Sequence, residues 1–162
     1  MQNEIWKENF KLLQEFDLSF DLQLYPEQML EAAEFLAKHP KTQIIIDHAG
    51  SPYDPSMAGL EKWKEGMAHL STLPNVSAKI SGLGMFDLHA NAKREAGVYI
   101  NWILEKFGRS RTLYGSNFPV DKLMSTYDDT IETIVKHLPA GGAGEALSHS
   151  IFFENAKRIY KL

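Results

Sequence analysis

The chain has 162 residues, a formal net charge of −4 and no cysteine, with 44% hydrophobic and 23% charged residues. It is too apolar and too weakly charged to be disordered, and it lacks the Lys/Arg surplus that a nucleic-acid partner would require. Disulfide frameworks, zinc–cysteine sites and thiol nucleophiles are excluded. No apolar run is long enough to span a membrane, and the first residues carry no basic and apolar leader. A cytoplasmic protein is expected, with residues 1–162 forming a single domain.

Along the chain, short β-rich runs alternate with amphipathic helical runs. The first ~16 residues place Trp6, Phe10, Leu13 and Phe16 near helical spacing. Leu18 to Leu24 alternates apolar and polar residues, a strand signal. Pro26 opens a helix at a position where a missing N–H costs nothing, and His39-Pro40 ends it. A second strand is predicted over Gln43 to Asp47, then a Gly50-Ser51-Pro52 loop and a helix carrying Leu60, Trp63, Met67 and Leu70 up to Pro74. Strand three is predicted over Val76 to Ile80, and its helix aligns Ala92, Ala96, Tyr99, Ile103 and Phe107 before Gly108. Strand four runs from Thr112 to Tyr114, followed by a helix with Ile131, Ile134, Val135 and Leu138. A last helix carries Leu147, Ile151, Ala156 and Ile159. The tryptophans and phenylalanines on these stripes are expected in the core.

Strands spaced roughly 25 to 36 residues apart, with a helix between each pair, suit parallel βαβ crossovers. The fold class is therefore α/β with a parallel sheet. A (β/α)8 barrel and an open doubly wound sheet both fit. A full barrel takes roughly 250 residues, so four strands make about half of one.

Alternation divides each strand into two faces. On strand one, Leu18, Phe20, Leu22 and Leu24 suit the helix side, which leaves Asp21, Gln23 and Tyr25 inside. On strand two, Ile44, Ile46 and His48 share a face, so an apolar interior is expected to end in an imidazole. Lys79 opposes Ala78 and Ile80, and Leu113, Gly115 and Asn117 share a face. Each strand thus offers a polar group near its C-terminal end: Gln23 and Tyr25, His48, Lys79, Asn117. Parallel α/β enzymes build their sites there.

Two segments carry a resemblance: Ile44-Ile45-Ile46-Asp47-His48-Ala49-Gly50-Ser51-Pro52 and Tyr114-Gly115-Ser116-Asn117-Phe118-Pro119-Val120-Asp121. With Ser77-Ala78-Lys79-Ile80-Ser81-Gly82 and the terminal Phe153 to Tyr160, they resemble the amidohydrolase-related family of metal-dependent hydrolases. Within that family the chain looks most like the sugar-lactone and dicarboxylate-lactone hydrolases. The resemblance runs from about Trp6 to the C-terminus and implies the C-terminal half of a (β/α)8 barrel, strands five to eight. It implies a small-molecule substrate and attack of water on a lactone or ester-like carbonyl. His48 would bind a divalent metal such as zinc or polarise the carbonyl. Where the family usually carries an aspartate that takes a proton from water, this chain has Asn117, which could orient a water or donate to an oxyanion. Gln23, Tyr25 and Lys79 would hold the substrate's hydroxyls or carboxylate.

The family's first strand carries a His-x-His pair, and this chain has none; its histidines are 39, 48, 69, 89, 137 and 149. Zinc takes at least three protein ligands, so both a metal route and a metal-free route stay open. Turnover is expected to need a complementing N-terminal half-barrel, and the exposed half-barrel is expected to recruit that half or a second copy. The rivals are a non-catalytic remnant or binding module that keeps the pocket, and a doubly wound ligand-binding domain. Blander roles also stand for single residues. Lys79 could pair with Asp21 or Asp47, Asp47 is expected on the helix side, and Tyr25 could pack over Pro26. Asn117 could cap the turn before Pro119, and His48 could be a hydrogen-bonded core histidine. His69, His137 and His149 are expected to be solvated.

Overall fold

A computed structural model describes residues 3–86 and 92–162, and for 92–95 its backbone alone. His89 lies outside the described residues, as does the side chain of Ala92. The elements in chain order are α1 (Glu4–Glu15), β1 (Phe20–Leu22), α2 (Met29–Leu36), β2 (Ile44–Ile46), α3 (Met57–Ser71) and β3 (Val76–Ile80). They continue with α4 (Ala92–Phe107), β4 (Thr112–Tyr114), α5 (Tyr127–Val135), α6 (Gly142–His149) and α7 (Asn155–Ile159). The strands form one parallel sheet in the order β1-β2-β3-β4.

The register sets the faces. Leu22 lies beside Ile46, Ile46 beside Ala78, and Ala78 beside Thr112. Phe20, Ile44, Val76, Ile80 and Tyr114 share that face and pack with residues of α1 to α5 in the main core, around the fully buried Trp63, Met67 and Ile103. The other face holds a small cluster of Ile45, Leu113 and Ile159. A doubly wound sheet carries helices on both faces. Here α1 to α5 cover one face, the other meets only the chain end at α7 among the described residues, and the strand order never reverses, so the architecture is a barrel segment.

The expected faces hold for β1, β3 and β4 and reverse for β2. Ile44 and Ile46 face the helices, and Ile45 faces inward. Three identical residues give alternation nothing to read, and only pairing with Leu22 and Ala78 decides which way each points. Asp47 follows with the parity of Ile45 and lies on the inner side, not the helix side.

Two helices also depart from expectation. Asp17 takes a left-handed φ of 53° just after α1, and Phe16 is left 65% exposed while Phe10 on the same stripe is buried. The last helix is broken by a π-turn over Ser150–Glu154, which leaves Phe153 exposed and Ile159 buried against the inner face. Side-chain amides fix the loops at the strand starts. Asn75 Nδ2 donates to the carbonyls of His39 and Thr42 at 3.1 and 2.8 Å, and Asn155 Nδ2 donates to those of Arg109 and Thr112 at 2.6 and 2.7 Å.

Candidate active site

The segment after β2 departs sharply from extended geometry. His48, Ala49, Gly50 and Ser51 have φ values of 51°, 52°, 71° and 49°. Left-handed backbone costs a non-glycine residue about 1–2 kcal/mol, so three such residues in one turn must be held from outside. Gly50 N donates to the Asp47 carbonyl at 2.9 Å and Ser51 N to the His48 carbonyl at 2.8 Å. The Trp63 indole donates to the Ala49 carbonyl at 2.7 Å. Gly50 is required, because a Cβ there would lie 2.5 Å from Met29 Cε and 2.8 Å from Met67 Sδ.

This turn cancels the strand's parity and carries the imidazole to the end of β3. His48 Nδ1 lies 3.1 Å from Ser81 Oγ, and the His48 backbone N–H donates to the same oxygen at 3.2 Å. Ser81 is buried and fixes both ends of the residue. Gly82 keeps the adjoining wall bare, since a Cβ there would stand 2.8 Å from His48 Nδ1. His48 is thus hydrogen-bonded and only part-buried, with Nδ1 occupied.

At the end of β4, Asn117 adopts a φ of 54°, a conformation its short amide side chain tolerates better than most. Its backbone carbonyl accepts the Asp121 N–H at 3.0 Å, and its Nδ2 donates to Asp121 Oδ1 at 2.9 Å. Asn117 is therefore both the turn-former and the partner of a carboxylate. Asp121 is 3% exposed, and no lysine or arginine pairs with it among the described residues. Burial pushes its pKa up, opposed by the Asn117 hydrogen bond and by the nearby charge of His48. The Gly82-Leu83-Gly84 loop runs along both groups: a Cβ on Gly84 would lie 3.7 Å from Asp121 Cγ.

Lys79, the fourth of five residues in β3, lies on the inner face. Its ammonium donates to Asp47 Oδ1 at 2.8 Å and Asp21 Oδ1 at 2.9 Å, and it lies 5.5 Å from the Tyr160 ring centroid. Burial works against this charge, but the bonds to Asp47, Tyr160 and Asp21 outweigh it and hold its pKa above the usual lysine range. Both carboxylate partners foreseen for Lys79 are present. Gln23 and Tyr25 are exposed at the end of β1. The Tyr25 ring meets Tyr53 edge to face at 5.4 Å, and Tyr53 donates to Glu27 Oε1 at 2.9 Å.

The strand ends therefore assemble two groups, His48–Ser81–Asn117–Asp121 at the mouth and Asp21–Lys79–Asp47 on the inner face, with Gln23 and Tyr25 exposed beyond β1. Ser81 and Asp121 were not among the residues expected from sequence. A signal for each was present: Ser81 directly follows β3, and Asp121 stands one turn after Asn117. Among the described residues no three His, Asp or Glu side chains converge as a metal site. Zinc needs at least three protein ligands, so the described donors by themselves do not fit a zinc centre. Of the other histidines, His69 and His149 are exposed, whereas His137 is part-buried against Gly97, where a Cβ would meet its Cε1 at 2.3 Å.

Protein y4mH of Sinorhizobium fredii is 38% identical over 157 residues, which cover 97% of this chain and 52% of that protein. An L-fucono-1,5-lactonase of Burkholderia multivorans is 28% identical over 159 residues, 93% of this chain and 53% of the relative. The crystal structure of a Burkholderia multivorans amidohydrolase with bound zinc superposes with a TM-score of 0.88 at 25% identity, covering 99% of this chain and 58% of that one. The chain thus spans about half the length of the curated relatives it matches, and its fold corresponds to the C-terminal half of the amidohydrolase barrel. The amidohydrolase family model matches residues 2–162, and the chain belongs to that family.

Proposed function

We propose that this chain supplies the C-terminal half of the active site of a hydrolase that opens sugar lactones, working with a complementing half-barrel of four further βα units. The observation that carries the reading is the His48 imidazole, fixed by Ser81 at the C-terminal ends of parallel strands, with the Asn117–Asp121 pair facing the same mouth. The likeness to L-fucono-1,5-lactonase supports a 1,5-lactone of a sugar acid as the substrate class.

In this reading the unoccupied His48 nitrogen donates to the lactone carbonyl oxygen and polarises it, and the charge that develops on attack is stabilised there. Water adds to the carbonyl carbon, the ring C–O bond breaks and the hydroxy acid leaves. Gln23 and Tyr25, exposed at the end of β1, contact the sugar hydroxyls. Lys79 sets the charge of the pocket floor through its two carboxylates and meets the substrate's polar edge. Any metal would draw ligands from the complementing half, so no step here is assigned to one.

The test is hydrolysis of a panel of sugar 1,5-lactones, followed by acid release. It is run on the chain alone and on the chain mixed with the remaining half of the Sinorhizobium fredii relative. Turnover by the mixture that is lost in His48→Ala supports the reading; turnover that survives the change refutes it. A second reading, a binding module without turnover, is favoured by the missing His-x-His pair. It predicts saturable sugar-acid binding by the same mixture and no acid release.

A further inference from the structure

We propose that Asp121 is the general base of this site, standing in for the carboxylate that position 117 lacks, and that Asn117 acts by aiming it. The assignment rests on the lactone-opening reading above and goes one residue deeper into it. An amide cannot accept a proton from water at neutral pH, so Asn117 cannot activate the nucleophile. Its geometry gives it another task. Nδ2 donates to Asp121 Oδ1 at 2.9 Å and the backbone bond closes the same turn at 3.0 Å, so one carboxylate oxygen is anchored and Oδ2 is assigned the proton-accepting part.

A carboxylate 3% exposed with no lysine or arginine partner among the described residues is costly to keep unless it is used. Gly84 places backbone against the carboxyl group and Gly82 does so against His48, so the loop after β3 touches both. His48 lies close enough for its charge to act on the Asp121 carboxyl, which places base and imidazole on the same side of the site. With Nδ1 of His48 taken by Ser81, the other ring nitrogen is the one available to the substrate.

The chemistry balances. Asp121 takes a proton from water as the water oxygen bonds to the lactone carbonyl carbon, and the carbonyl π pair moves onto its oxygen beside His48. When that pair returns, the ring C–O bond breaks, and the proton held on Asp121 passes to the departing alkoxide as a hydroxyl. Lactone and water become a hydroxy acid, and the carboxylate is restored.

The test uses the full chain mixed with the remaining half of the Sinorhizobium fredii relative, assayed on L-fucono-1,5-lactone. Asp121→Asn keeps the acceptor for Asn117 and removes the basic oxygen. Turnover is expected to fall about 100-fold or more, while the melting temperature is unchanged or higher because a lone buried charge has gone. A merely structural carboxylate would lower it instead. The double change Asn117→Asp with Asp121→Asn returns a carboxylate one turn earlier and is expected to recover at least tenfold of the loss. If Asp121→Asn keeps more than about a third of wild-type turnover while His48→Ala abolishes it, the assignment is overturned and the lactone reading stands. If the wild-type mixture releases no acid, both fall.

Discussion

Replacing Ile159 by alanine probes how the inner face of this half-barrel is covered. The face opposite the helices carries little apolar surface of its own: Ile45 and Leu113 are at most 1% exposed, and Ile159 packs on both while itself 3% exposed. Its neighbours tie the same segment to the far side of the sheet. Tyr160 donates to Asp21 Oδ1 at 2.6 Å, and the Lys161 ammonium donates to the Asp17 carbonyl at 3.0 Å. The chain end therefore crosses the inner face from β4 to β1. Ile159→Ala removes three carbons from a closed contact, about 2.4 kcal/mol of transfer free energy, and the space left behind raises the loss to about 2.5–4 kcal/mol. With an m-value of about 2 kcal/mol per M, the urea midpoint should fall by about 1.2–2 M, read from tryptophan fluorescence. A loss below about 0.5 kcal/mol, the range of surface changes, would mean that Ile159 does not cover the face and would refute the packing argument.

Further outcomes test other links. Burial, then the bond to Asp21, pushes the Tyr160 phenol up to about 12. An acid whose pKa is higher in the folded state favours folding while protonated. That stability is therefore present below about pH 10 and is lost as pH rises towards 12, and Tyr160→Phe should flatten part of the alkaline decline in thermal melts. Gly50→Ala meets a φ of 71° and the ends of Met29 and Met67. Strain and overpacking together should cost about 2–4 kcal/mol in urea unfolding, and a neutral effect would contradict the left-handed turn.

Much of the architecture could be read before any coordinates. Four β-rich runs separated by helical runs indicated a parallel sheet, and Pro26, Pro74 and Gly108 marked element ends because each acts locally. The faces of β1 and β3 were legible because Asp21 and Lys79 interrupt apolar neighbours. The face of β2 was not, because Ile44 to Ile46 are identical and only inter-strand register distinguishes them. His48 was expected at the strand end for an incomplete reason. Alternation placed it inside on a mistaken parity, and the left-handed turn, held by Trp63 from α3, brings it to Ser81. That hydrogen bond joins residues 33 apart in sequence, and no local pattern foretells it.

Asn117 shows the same divide. Its turn-forming role was expected, whereas its grip on Asp121 required the geometry between β4 and the helical turn over Val120–Leu123. The inner-face contact of Ile159 was hidden for another reason. Its helical spacing suggested one continuous helix, and the π-turn at Ser150–Glu154 redirects it.

The most direct check of the lactone-opening reading is the ratio of kcat/KM for L-fucono-1,5-lactone between the wild-type chain and His48→Ala. Both are measured with the remaining half of the Sinorhizobium fredii relative present at equal concentration. The account predicts a ratio of about 100 or more, with both proteins folded by far-UV circular dichroism. A ratio near one at measurable turnover would contradict it.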